Sequence, residues 1–183
     1  TGYTAQSGEG VVIALVKDGV EVASAADGDD VLILVNQTPF YGESGGQMGD
    51  SGQISGNDGL RADVSDTSKP LGRLHAHHAK IVSGSIAVGD MVHLAVEDMR
   101  RAQLRANHSA TPLLHKALRH HLGDRVTQKG SLVAPDRLRF DFSQTSALTP
   151  DQIRSVEADV NAQIRGNSAV VTRSMSPDDA VAA

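Results

Sequence analysis

The stretch Val11-Val-Ile-Ala-Leu-Val-Lys-Asp-Gly-Val20-Glu-Val-Ala-Ser-Ala25-Ala-Asp-Gly-Asp-Asp30-Val-Leu-Ile-Leu-Val35 decides how the first half of this 183-residue chain folds. Val11–Val16 is a short apolar run closed by Lys17-Asp-Gly19, a turn pair whose glycine tolerates positive φ, so Val20–Ala25 is predicted to return as a hairpin partner. Asp27-Gly-Asp-Asp30 is a second turn, and Val31–Val35 reads as a buried strand. Gln53-Ile-Ser, Leu60–Val64, His75–Val82 and Met91–Val96 continue the series between Gly- and Asp-rich turns. Short strands at this spacing predict a small barrel or sandwich over residues 1–98. Within that series, Tyr41-Gly-Glu-Ser-Gly-Gly-Gln-Met-Gly-Asp-Ser-Gly52 holds five glycines in twelve residues, too many for a regular strand interior.

Near residue 98 the period changes. Leu104, Leu113, Leu114, Ala117, Leu118 and Leu122 recur at helical intervals between Asp98 and Leu122, and Gly123 supplies a stop. Pro112 interrupts the run, and a helix-interior proline costs about 3 kcal/mol. The reading is therefore two helices, the second capped by Ser109, with a single kinked helix as the alternative. Ser131-Leu-Val and Arg137–Phe142 form a hairpin around Ala134-Pro-Asp136, with Leu138, Phe140 and Phe142 on one face. Thr149-Pro-Asp-Gln152 is a capping box with proline at the first helical position. That helix runs to Arg165 with Ile153, Val156, Val160 and Ile164 as its stripe, and Gly166 closes it. Val170–Met175 is predicted as a strand, and Ser176-Pro-Asp-Asp179 opens a last helix. The fold class is α+β: an N-terminal β-barrel over 1–98, then an antiparallel sheet with helices over 99–183.

Composition narrows the function classes. The chain is 39% hydrophobic, which excludes a disordered chain, and no apolar run approaches the roughly 18 residues of a membrane span. It has no Cys, which excludes disulfides, thiolate metal sites and a thiol nucleophile. The expectation is a cytoplasmic protein without membrane attachment. A start at Thr1 and an end on Ala-Val-Ala-Ala read as cuts in something larger. Residues 1–98 carry 5 Lys/Arg against 14 Asp/Glu, whereas 100–140 carry 9 against 2. Such asymmetry favours two units, the second facing an anion. Only 3% of residues are aromatic, so phosphate contact is favoured over base stacking, with a solvated basic helix face as the plain alternative. The phosphate-contact candidates are Arg100, Arg101, Arg105, Lys129 and Arg139.

Spacing sorts the eight histidines. His75 and His77 share a strand face and His78 takes the other; a surface polar strand is the reading, over a metal pair. His120-His121 suits a helix C-terminus, where a cationic imidazole favours the dipole. His115 reads as packing or surface. His108 stands apart because Asn107-His-Ser-Ala-Thr-Pro-Leu-Leu-His115 groups a His, a Ser and a Thr near a predicted helix start, and Gln128-Lys-Gly-Ser131 lies downstream. Together they could surround a carbonyl or a phosphate, or be plain capping and turn chemistry. A serine hydrolase is disfavoured: Ser109 lacks a nucleophile-elbow sequence, and adjacent helical residues do not face each other.

Four segments in order carry a resemblance. Asn36-Gln-Thr-Pro-Phe-Tyr-Gly-Glu-Ser-Gly-Gly-Gln-Met-Gly-Asp-Ser-Gly52 resembles the glycine-rich motif of the alanyl-tRNA synthetases. Arg105-Ala-Asn-His-Ser-Ala-Thr-Pro-Leu-Leu-His115 resembles the start of their editing domain, and Gln128–Val133 and Asp136–Ser143 follow with the family's spacing. The resemblance, to the bacterial type, covers nearly the whole chain as barrel domain and first part of the editing domain. It implies hydrolysis of the ester joining Ser or Gly to alanine tRNA, at a site built on zinc. By similarity His108 matches the first His of a His-x-x-x-His metal pair, and Thr111, Gln128 and Ser131 match residues of the amino-acid pocket. Gly45, Gly46 and Gln47 of the loop are associated with the same site. The family's second His falls at Pro112, and its remaining Cys and His ligands are expected beyond this chain. The expectation is therefore no well-ordered zinc and no editing by this chain alone. ATP and Mg²⁺ are expected only in an aminoacylation domain outside it. A free-standing deacylase and a non-catalytic tRNA-binding module are the alternatives.

Overall fold

The computed structural model describes residues 5–169, 171 and 173–182. Nine strands come first: β1 (Ser7–Lys17), β2 (Val20–Val22), β3 (Ser24–Ala26), β4 (Asp30–Val35), β5 (Gly52–Gly56), β6 (Arg61–Ser68), β7 (Ala76–Ser83), β8 (Ser85–Ala87) and β9 (Met91–Val96). Then follow α1 (Asp98–Leu122), β10 (Gln128–Val133), β11 (Leu138–Phe142), α2 (Pro150–Gly166) and α3 (Pro177–Ala182). The α+β class holds.

Six antiparallel strands close into a barrel in the order β1-β4-β7-β6-β5-β9, with β9 returning to β1. Closure depends on the length of β1. Its first half, Ser7–Val11, pairs with β9, and after an irregularity at Val12–Ala14 its second half pairs with β4. One long bent strand thus joins both sides, and the barrel has no open edge between them. Period-2 alternation fills the interior: Val31 and Ile33 from β4, Ala62 and Val64 from β6, Val92 and Leu94 from β9 are buried.

The Asp18-Gly19 turn forms as predicted, with φ of 51° and 78°, and joins Lys17 directly to Val20. The return strand is corrected. Val20–Ala25 is not continuous: β2 pairs with β1, whereas β3 leaves to pair with β8, where Ala25 and Ile86 are buried against the barrel core. The surface reading of His77 is also corrected. His75 precedes β7, and His77 lies inside with 0% exposure. Its Nδ1–H donates to Ile33 O at 2.7 Å, its Nε2 meets Thr38 Oγ1 at 2.8 Å, and its ring stands edge-on to Phe40. Both ring nitrogens are thereby satisfied, which allows a polar ring in the core.

The two-helix reading of 98–122 gives way to its alternative, since α1 is one helix with Pro112 inside it and Glu97, not Ser109, at its N-cap position. Buried side chains on both sides of the proline hold it: Arg101 and Leu104 before, Ala117 and Leu118 after. Tertiary packing, not propensity, carries most of a helix's stability, so it overrides the local cost. The ribbon β10–β11 lies against α1, and Phe140, Phe142, Leu114 and Leu122 surround a second buried cluster of Ala117, Leu118, Val126 and Val156.

The capping box of α2 is present, with Thr149 Oγ1 accepting from Gln152 N at 3.2 Å and Gln152 Oε1 accepting from Thr149 N at 2.9 Å. Its stripe is narrower than predicted. Val156 is buried and Val160 packs beside it, but Ile153 and Ile164 are exposed. Gly166 is the last helical residue, and Asn167 makes the left-handed cap. The predicted strand Val170–Met175 is not observed at its described residues, and Val170 and Thr172 lie outside them.

Candidate functional site

The glycine-rich loop 41–52 is held between the barrel and the second half of the chain. Asp50 anchors it from below. Its carboxylate accepts from Arg101 Nε of α1 at 3.0 Å and from Tyr41 N at 2.6 Å, while Thr67 Oγ1 donates to its carbonyl at 3.0 Å. Arg101 also donates to Pro39 O at 2.9 Å. The ion pair is nearly sealed, at 9% and 1% side-chain exposure. Two glycines make this closeness possible. A Cβ on Gly49 would lie 2.0 Å from Thr67 O, and one on Gly46, at φ +84°, would lie 2.3 Å from Ser131 O.

The upper edge of the loop joins β10 through its backbone. Met48 N donates to Val133 O at 3.0 Å and Val133 N donates to Gly46 O at 2.8 Å, a short parallel bridge around Gln47. Gln47 is buried, and its Oε1 accepts from His108 Nδ1 on α1. The Gln47 amide thereby fixes the orientation of the His108 ring on α1. One residue earlier on the helix, Asn107 Nδ2 donates to Ala134 O at 2.7 Å. Three distant segments, 46–48, 107–108 and 131–134, thus meet at one place.

Gly46, Gln47, His108 and Ser131 are brought together, while Gly45 forms the exposed tip of the turn. Thr111 follows His108 by three residues, and its Oγ1 donates to Asn107 O at 2.9 Å. Gln128 and Ser131 would lie on opposite faces of an unbroken strand. A bulge between Gln128 and Gly130 changes that: Gln128 opposes Phe142 and Ser131 opposes Phe140, so both share one face of the ribbon. Gln128 is exposed and Ser131 half-buried.

The basic candidates divide. Arg101 is corrected: it is buried on Asp50 and cannot meet a phosphate. Arg100 is half-buried with a bond to Gly49 O, and Arg139 pairs with Asp141 at 3.1 Å on the surface. Arg105 and Lys129 are exposed. The Asp50–Arg101 anchor and the Gln47–His108 contact are not visible in spacing; the glycine run holds two acids, Glu43 and Asp50, and nothing local marks which one is buried.

The zinc that the resemblance implies does not fit the residues around His108. A helical partner would stand at position 112, where Pro112 has no donor atom. His115 is seven residues away, about 10 Å of helix rise, and its ring lies against Phe140. The chain has no Cys, and among the described residues His108 belongs to no group of three metal-ligating side chains.

The family model described as tRNA synthetases class II (A) matches residues 1–100, the barrel and its loop. The chain belongs to this family. It is 64% identical over 183 residues to an alanine–tRNA ligase of Sphingopyxis alaskensis, covering 100% of this chain and 21% of that protein. An alanine–tRNA ligase of Rhizorhabdus wittichii is 60% identical with the same coverage, and one of Parvibaculum lavamentivorans is 52% identical over 182 residues. The class II synthetase chain described here therefore spans about a fifth of the length of the curated relatives it matches. Among its described residues no helix is long and apolar enough to cross a membrane.

Proposed function

We propose that this chain is the barrel, residues 1–98, and the first part of the editing region, residues 99–183, of an alanine–tRNA ligase, and that it receives the aminoacyl end of alanine tRNA. The parent activity would be ATP-dependent joining of alanine to its tRNA, with ATP and Mg²⁺ bound outside this chain. The editing reaction would be hydrolysis of the ester that joins Ser or Gly to that tRNA. One observation carries the reading: Gln47 of the glycine-rich loop is bonded to His108 while Gly46 lies against Ser131.

The residues have defined tasks. His108, bonded to Gln47, would face the ester carbonyl, and with no zinc ligand partner beside it in this chain it does not activate a water for attack. The Ser131 and Thr111 hydroxyls supply hydrogen bonds to a substrate hydroxyl. A pocket built that way accepts Ser and leaves its own groups unpaired with Ala. Arg105 and Lys129, exposed on the basic side, contact phosphates. Because the residues around His108 do not hold zinc, we expect this chain to bind the acceptor end without turning it over.

The test is incubation of Ser-tRNA for alanine with this chain, with added zinc and separately with a chelator. Salt-dependent binding without turnover in either condition is expected. Zinc-dependent turnover would overturn the incomplete-site reading, and absence of binding would overturn the tRNA reading. Pro112 in place of a donor favours one second reading, a non-catalytic tRNA-binding module. The longer protein separates the two, since a module would leave Ser-tRNA intact there as well.

A further inference from the structure

At the far end of α1, three metal-ligating side chains converge. His120 and His121 stand in its last turn and Asp159 on α2, and one donor atom from each lies within 4.8 Å of the others. Asp159 Oδ2 is 3.1 Å from His120 Nδ1 and 3.4 Å from His121 Nε2. Neighbouring helical residues point about 100° apart, so two adjacent imidazoles do not meet one carboxylate oxygen by default. Here the rings are turned toward each other, with centroids 4.7 Å apart.

These separations have chemical meaning. Zinc bonds of about 2.0–2.2 Å in a tetrahedron put neighbouring donors about 3.3–3.5 Å apart. The two distances to Asp159 Oδ2 are close to such edges. The frame behind them is packed, since Val156 and Val160 flank Asp159 on α2 and sit with Ala117 and Leu118 of α1 in the second core.

We infer that His120, His121 and Asp159 bind a divalent transition-metal ion, with water completing the shell, and that the ion fastens the end of α1 to α2. Two imidazoles and one carboxylate suit Zn²⁺, Co²⁺, Ni²⁺ or Cu²⁺ over Mg²⁺ or Ca²⁺. The site is independent of the pocket proposed above, because His108 lies twelve residues back, about 18 Å along the helix.

The test titrates the 183-residue chain with Co²⁺, followed by visible absorption, and with Zn²⁺, followed by calorimetry and thermal unfolding. One equivalent bound, ligand-field bands and a zinc-raised Tm are expected. His121→Ala and Asp159→Asn, both near the surface and tolerable to the fold, should each weaken binding at least tenfold and remove the Tm shift. His108→Ala should retain the ion. Absence of cobalt bands and of a zinc-dependent Tm shift would overturn the inference, leaving an exposed ion pair. Unchanged binding in His121→Ala and Asp159→Asn, or its loss in His108→Ala, would overturn it as well.

Discussion

Arg101 of α1 reaches down to Asp50 in the glycine-rich loop, Nε to Oδ1 at 3.0 Å, and the pair is closed off from solvent on both sides. Removing one partner leaves the other charge buried and unpaired, which costs about 3–5 kcal/mol. Arg101→Met and Asp50→Asn should each lower stability by that order in urea unfolding. The double variant should lose less than their sum, because neither charge is then stranded.

Gly46→Ala should be worse than Gly45→Ala. Both positions have positive φ, which costs an alanine about 1 kcal/mol. Only at Gly46 would the new methyl also strike Ser131 O; at Gly45 it meets nothing within 4 Å. Thermal unfolding should show the difference. Proteolysis within 41–52 should rise in Gly46→Ala because the bridge to Val133 opens.

His77 should make the barrel acid-sensitive. Burial lowers its pKa to about 4, well below the ordinary 6.5 of an unfolded histidine. Below 6.5 the unfolded chain takes up a proton that the folded chain refuses, so stability is complete above that pH and falls as pH drops toward 4. The full effect is ~3 kcal/mol. Urea midpoints at pH 7 and pH 4.5 should differ in that direction, and His77→Gln should reduce the difference.

Pro112→Ala should raise helicity and stability, by up to about 3 kcal/mol, since the surrounding helix already exists and Pro112 is exposed. Circular dichroism and Tm report it. Pro112→His would instead place an imidazole one turn after His108 on the same face, and zinc affinity there should rise.

Arg105→Ala and Lys129→Ala should each weaken tRNA binding across sequences. Each should reduce the slope of log affinity against log salt by roughly one. Arg139→Ala should have a smaller effect, because Asp141 already neutralises that charge. Filter binding at several salt concentrations measures all three.

The β character of the first half was legible because short apolar runs are separated by Gly- and Asp-rich turns, while closure into a barrel rather than a sandwich was decided by the two-sided pairing of β1. What sequence reading could not supply was anything decided by contact across the fold. His77 looks like a surface residue among polar neighbours until Ile33 O and Thr38 are seen to satisfy its nitrogens. Pro112 looks like a helix boundary until Leu104 and Ala117 are seen buried on either side. In the candidate site, residue types were legible and their meeting was not. Gln128 and Ser131 share a face only through a bulge, which strand parity argues against. The glycines of 41–52 excluded a regular strand but did not tell that Thr67 O and Ser131 O come against two of them.

Helix α1 is 25 residues long, about 37 Å of rod. One end is bolted to the loop through Arg101 and the other is embedded beside Val156. Neither end can rotate alone. The helix therefore works as a strut: it sets the distance at which the loop contact at His108 and the packed pair with α2 are held apart, and each end keeps its own set of contacts.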